Sequence, residues 1–179
     1  MLKKYLALGD SYTIGEDLAG RAAFPYQLVD KLNVNESLFA DPEIIATTGW
    51  TTDELNVAIQ QTILLPKYDL VSLLIGVNNQ YRGRRIEEFE VQFEQLLEKA
   101  IHLADANAQN VFVLSIPDWS VTPFAGERDL ESIAKEINRF NNVCKTISTK
   151  YSCEFIDITT VQRLDGNKAS FLADDGLHP

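Results

Sequence analysis

Five short apolar runs, each bounded by polar or turn residues, alternate along this chain with longer amphipathic stretches. The runs are Tyr5 to Leu8, Ile44 to Ala46, Leu70 to Ile75, Val111 to Ser115 and Phe155 to Ile158. Each is of strand length, rich in valine, isoleucine and leucine, and without a polar face, which is the pattern of strands buried on both sides. Between them Phe89, Phe93, Leu96, Leu97, Ala100, Ile101 and Ala104 recur at helical spacing, as do Leu130, Ile133, Ala134, Ile137, Phe140, Cys144, Ile147 and Tyr151. Each stripe is suited to cover one face of a sheet. Pro25 suits the first turn of a helix running to about Leu32, and Thr51 with Glu54 fits a capping box opening another helix towards Thr62. Strand and helix in strict alternation imply right-handed crossovers and a parallel sheet covered on both faces. The expected fold is a doubly wound, three-layer α/β/α domain around a five-stranded parallel sheet. At 179 residues, 45% of them apolar, with no repeat or linker to divide it, the chain is expected to build one core over 1–179.

Sheets of this kind collect ligands at the carboxyl ends of their strands, near the point where strand order reverses. Polar segments fall at those places. Gly9-Asp10-Ser11-Tyr12 directly follows the first strand, Thr47 to Trp50 the second and Gly76-Val77-Asn78-Asn79 the third, so three loops distant in sequence are expected on one rim. Ser11 sits in a tight glycine-containing turn that pushes its hydroxyl out at the sheet edge. A serine hydroxyl is a poor nucleophile without a base in hydrogen-bond reach. Of the two histidines, His102 lies between Glu98 and Asp105, one step off its helix's apolar stripe, and reads as a solvated surface residue. His178 is the remaining candidate. Asp175 precedes it by three residues, close enough to fix the imidazole tautomer and stabilise the imidazolium, whereas Asp174 reads as a turn or solvent-facing residue. Acyl transfer also needs donors for an oxyanion. Gly49 can bring its N–H close for want of a side chain, Asn78 offers an amide, and the backbone N–H of Ser11 is a natural third donor.

Several classes of function are disfavoured. A net charge of −10 repels a phosphate backbone or an anionic membrane, so nucleic acid is not an expected partner. No stretch approaches the roughly 20 apolar residues that span a bilayer, and the apolar start, Met1 to Leu8, is interrupted at once by Gly9-Asp10. The expected location is cytoplasmic. Cys144 and Cys153 are expected to be reduced and packed, and neither has metal-ligand spacing to a histidine. No metal or cofactor is expected, and nothing in the sequence specifies an oligomeric state.

Taken together, Ser11 in Gly9-Asp10-Ser11-Tyr12, Gly49 in Thr48-Gly49-Trp50, Asn78 in Gly76-Val77-Asn78-Asn79, and Asp175 with His178 resemble the four blocks of the GDSL or SGNH hydrolase family, and the match spans the chain. The resemblance implies a flavodoxin-like sheet and hydrolysis of esters or thioesters without a metal. By it, Ser11 is the nucleophile, His178 the general base and then acid, and Asp175 its orienter, with Ser11, Gly49 and Asn78 forming the oxyanion hole. Tyr12 stands where the family has leucine, and Asn79 where aspartate often follows. Members of the family usually continue past the histidine into a helix, whereas this chain stops at Pro179 and is expected to lack that helix, leaving His178 on a terminal tail. Candidate substrate contacts are Asp10, Trp50, Asn79, Tyr81 and Trp119. Arg82, Arg84 and Arg85 form either a contact for an anionic head group or a solvated approach to Glu87 and Glu88. The resemblance allows lysophospholipids, acyl thioesters, short aryl esters and acetylated sugars, and a small or acetylated ester is the favoured reading. A rival reading is a flavodoxin-like binding protein that holds a phosphate on the loop from Ser11 to Thr13, for which Asp175 and His178 have no purpose.

Overall fold

The computed structural model describes residues 1–36 and 38–179. Five parallel strands, β1 (Tyr5–Gly9), β2 (Glu43–Ala46), β3 (Leu70–Leu74), β4 (Val111–Leu114) and β5 (Glu154–Ile156), form one sheet in the order β2-β1-β3-β4-β5. The chain winds outward from β1 to β2, crosses back to β3 on the other side of β1, and then winds away. The reversal therefore lies between β1 and β3, at whose carboxyl ends the Ser11 and Asn78 segments begin. This is the flavodoxin-like order, in which the switch point is the usual ligand crevice.

Side-chain alternation along the strands divides the interior. Leu6, Leu8, Val71, Leu73 and Val113 point to one face and pack with Leu55, Phe89, Phe93, Leu96, Leu97, Ile137, Phe140 and Cys144. These come from α3 (Thr52–Gln61), α5 (Ile86–Leu103) and α6 (Leu130–Lys150). Each large aliphatic or aromatic side chain removed from water there contributes roughly 1.5–3 kcal/mol. Tyr5 and Ala7 face the other way and pack against Val29 of α2 (Phe24–Leu32). On that face the Tyr5 and Ser72 hydroxyls satisfy each other at 2.7 Å. The helix boundaries follow local chemistry. Pro25 occupies the first turn of α2, and Glu54 reaches back to the Thr51 N–H at 2.9 Å to close the capping box of α3. Both cysteines are free and buried. Among the described residues, no helix is long and apolar enough to cross a membrane.

Three helices lie outside the periodic pattern: α1 (Ser11–Ile14), α4 (Val77–Tyr81) and α7 (Thr159–Asp165). At four, five and seven residues they are too short to display a 3.6-residue repeat. Two of them replace the loops expected after β1 and β3. β5 is also shorter than expected and ends at Ile156, which is 40% exposed at the sheet edge.

Candidate active site

β1 delivers Ser11 without an intervening loop. A side chain on Gly9 would lie 2.0 Å from the Thr13 hydroxyl and 2.5 Å from the Leu74 carbonyl, so only glycine lets the strand turn straight into α1. Asp10 caps that helix, its carboxylate accepting the Tyr12 N–H at 3.1 Å. Ser11 is the first residue of α1, where a backbone N–H has no intrahelical carbonyl to bond. Its side chain is almost wholly buried, at 5% exposure, with Oγ 2.8 Å from His178 Nε2.

His178 is equally buried. Its Nδ1 bonds Asp175 Oδ2, and Asp175 Oδ1 accepts the backbone N–H groups of Leu177 at 2.9 Å and His178 at 3.0 Å. Burial pushes the Asp175 carboxyl up, but the imidazole and those two N–H groups outweigh it and hold the group below the ordinary aspartate range. Asp175 is therefore an ionised acceptor, which makes Nδ1 the protonated nitrogen and turns the Nε2 lone pair towards Ser11. The expectation of a loose terminal tail is corrected. The Ala173 N–H donates to the His178 carbonyl at 2.7 Å, the Phe124 N–H to the Gly176 carbonyl at 3.2 Å, and the imidazole packs on the Tyr12 ring with centroids 4.6 Å apart.

Ser11 and His178 open onto a cavity of about 80 Å³ lined also by Tyr12, Val77, Asn78, Tyr81, Trp119, Phe124 and Leu177. Of the expected substrate contacts, Tyr81 and Trp119 are there, set edge to face with centroids 5.3 Å apart. Trp119 is fixed by its indole N–H, which donates to Gln80 Oε1 at 2.8 Å. The other three are not. Asp10 is fully buried as the cap of α1. Asn79 is 1% exposed and holds the start of α3, accepting the Thr52 N–H at 3.1 Å and donating to the Thr52 hydroxyl at 2.8 Å. Trp50 packs on the main core and does not line the cavity. Gly49 also stands back from the lining, at φ +82°, beside Asn78's bond from Nδ2 to the Trp50 carbonyl at 3.0 Å. His102 and Asp174 are exposed, as their sequence surroundings imply. Sequence reasoning missed Tyr12, Val77, Phe124 and Leu177 as cavity walls. Tyr12, Val77 and Leu177 adjoin candidate residues, which is their only signal, and Phe124 has none.

Asp10 carries a consequence for stability. Complete burial raises its carboxyl to about 7, against the pull of the Tyr12 N–H. An acid raised in the folded state binds more protons there than in the unfolded chain, so stability falls as pH rises from the ordinary aspartate range through about 7. Asp10→Asn keeps an oxygen for the Tyr12 N–H and removes the titration. Its stability advantage over wild type is expected to grow by about 3 kcal/mol between pH 5 and pH 8 in urea unfolding. An advantage that stays constant over that range contradicts a buried, raised carboxyl.

The fold and the site bring a serine, an imidazole and a carboxylate into line at the topological switch point of a flavodoxin-like α/β sheet. The chain matches the GDSL-like Lipase/Acylhydrolase family over residues 7–179 and belongs to it, which makes it an ester-bond hydrolase. No curated protein is similar enough to count as a match. Among solved structures it is similar to Axe2, an acetylxylan esterase from Geobacillus stearothermophilus, with 19% identity, a TM-score of 0.74, and coverage of 99% of this chain and 86% of that one. It is likewise similar to AlinE4, an SGNH-hydrolase family esterase, at 18% identity and a TM-score of 0.70, covering 100% and 87%. LAE5, described as an alpha/beta hydrolase from the metagenome of Lake Arreo, Spain, gives 16% identity and a TM-score of 0.70, covering 99% and 87%.

Proposed function

We propose that this esterase cleaves esters of short acyl groups, acetyl above all, through a covalent intermediate on Ser11. Ser11 Oγ attacks the carbonyl carbon as its proton passes to His178 Nε2, and ionised Asp175 stabilises the resulting imidazolium. The tetrahedral oxyanion is met by the N–H of Ser11 and by the amide hydrogen of Asn78 that the Trp50 carbonyl does not take, with Gly49, set behind the cavity lining, as the third donor that the family resemblance implies. Collapse expels the alcohol, protonated by His178. Water then attacks the acyl-serine with His178 again as base, and the second tetrahedral species breaks its bond to Oγ, releasing the carboxylic acid as His178 returns the proton to Ser11.

The observation that carries the acyl preference is the size of the cavity beside Ser11. At about 80 Å³ it holds an acetyl or propionyl group, well below the roughly 300 Å³ at which drug-sized pockets begin. Trp119, Tyr81 and Phe124 form an aromatic wall on one side of it. The naming of Axe2 as an acetylxylan esterase supports the same class, and its catalytic mutants with a serine or a histidine replaced by alanine support the roles of Ser11 and His178. The partner of the site is then a small-molecule ester. A cytoplasmic location fits the free thiols of Cys144 and Cys153.

A nitrophenyl ester series from acetate to octanoate tests the reading. Acetate is expected to have the highest kcat/KM, with a drop of about 10-fold or more by butyrate, since overpacking a fixed pocket costs on the order of 1–3 kcal/mol. Phe124→Ala, at a wall 38% exposed to solvent, is expected to move the optimum to longer acyl chains with acetate little changed. A wild-type optimum at octanoate would sink the short-acyl assignment.

A further inference from the structure

Asn78 of α4 and Arg82, the residue that ends that helix, stand four positions apart and lie against the loop between β2 and α3. Asn78 donates to the carbonyl of Trp50, and the Arg82 guanidinium donates through Nη2 to the carbonyl of the preceding residue, Gly49. The other arm of the fork, Nη1, reaches Glu54 Oε2 at 3.3 Å, and Glu54 itself accepts the Thr51 N–H at 2.9 Å. Gly49 sits at φ +82°, which glycine adopts without strain, and a Cβ there would come within 3.3 Å of Arg82 Nη2. The Trp50 N–H closes the turn onto the Thr47 carbonyl at 3.2 Å.

Each contact fixes a peptide plane. Trp50 N–H and the Gly49 carbonyl share one plane, pinned at one end by Thr47 and at the other by Arg82. The following plane is held by Asn78, and the Gly49 N–H lies on the preceding plane, shared with the Thr48 carbonyl, which joins the pinned planes only through the φ and ψ of Gly49. We infer that Arg82 is a positioning residue for the oxyanion hole: by gripping the Gly49 carbonyl and Glu54 together, it anchors the backbone on one side of Gly49 and so limits the directions in which the Gly49 N–H can point. The inference rests on the reading of the site proposed above. As an ion pair alone the contact is worth little, since both partners are about two-fifths exposed. Its value is directional. A guanidinium spans a carbonyl and a carboxylate with one planar fork, whereas a lysine ammonium is a point donor that meets one of them. A guanidinium engaged in this way is also not presented to an anionic substrate group.

Kinetics of Arg82→Ala and Arg82→Lys on nitrophenyl acetate, beside Ser11→Ala, test this. A donor aligned only for the transition state lowers kcat and kcat/KM together. Both Arg82 variants are expected to lose about 10- to 100-fold in kcat with KM within about threefold of wild type. Guanidinium ion at tens of millimolar is expected to restore part of the Arg82→Ala loss, and ammonium ion is not. Combined with Asn78→Ala, the loss is expected to fall short of the product of the single losses, because both side chains act through one loop. Unchanged kcat in both Arg82 variants, alongside an inactive Ser11→Ala, overturns the positioning role while leaving the esterase reading intact. A raised KM at full kcat overturns it in favour of direct substrate contact. Turnover retained in Ser11→Ala brings down the esterase reading, and this inference with it.

Discussion

Replacing Ser11 by alanine is expected to lower turnover of nitrophenyl acetate by roughly a millionfold while leaving the fold intact. In the proposed mechanism the Oγ lost is the nucleophile that bonds the acyl group, and a hydrogen-bond donor elsewhere in the cavity does not replace it. The Ser11 backbone N–H, the Asn78 amide and the cavity remain, so substrate binding survives. Thermal unfolding is expected to move little, because the side chain removed is one hydroxyl whose bond in the free enzyme is to His178 Nε2. His178→Ala is expected to fall by a similar factor. Asp175→Asn is expected to fall less, by about 10⁴, since an asparagine there leaves the imidazole in place but favours the wrong tautomer. Steady-state kinetics with unfolding curves for all three separates these outcomes from loss of structure.

Asn78→Ala carries the second largest expected effect, a loss of about 100- to 1000-fold in kcat with KM nearly unchanged. Two changes add. The amide hydrogen proposed to meet the oxyanion disappears, and the Trp50 carbonyl loses its donor, which loosens the loop that carries Gly49. Asn78→Asp is expected to be worse than alanine, because a carboxylate repels the oxyanion and cannot donate to the Trp50 carbonyl. A rise in KM at full kcat in Asn78→Ala contradicts its place among the oxyanion donors.

How much of this was legible in the sequence follows from the length of each signal. Strands β1, β3 and β4 are buried along nearly their whole length and helices α5 and α6 along one face, which is the signal that periodicity reads, while β2 is only half-buried and is marked by its short apolar run alone. Local chemistry placed the first turns of α2 and α3, through Pro25 and the Thr51–Glu54 pair. The candidate residues are singled out by Ser11 directly following the first expected strand, by His178 being one of only two histidines, and by Asp175 standing three residues before it.

The parts that escaped are those decided by three-dimensional register. Asn78 and Asn79 are the same residue type side by side, but on α4 successive side chains diverge by about 100°. That rotation sends Asn78 to the cavity and Asn79 into Thr52, a distinction that only the helix supplies. Arg82, one turn beyond Asn78, reads as part of a charged cluster in sequence and as a clamp in space. Phe124 enters the cavity because the turn carrying it donates its own N–H to Gly176, more than fifty residues on. Asp10 offered a carboxylate next to the nucleophile, and its complete burial as a helix cap is what removed it from the substrate contacts.

The central claim is that Ser11 Oγ becomes covalently bound to the substrate's acyl carbon. Treating the protein with a fluorophosphonate and mapping the adduct by tandem mass spectrometry tests it most directly. The account predicts one phosphonyl group per chain, on the peptide containing Ser11, and none in Ser11→Ala. A full-stoichiometry adduct on any other residue, or an enzyme that turns over esters yet resists labelling, would contradict it.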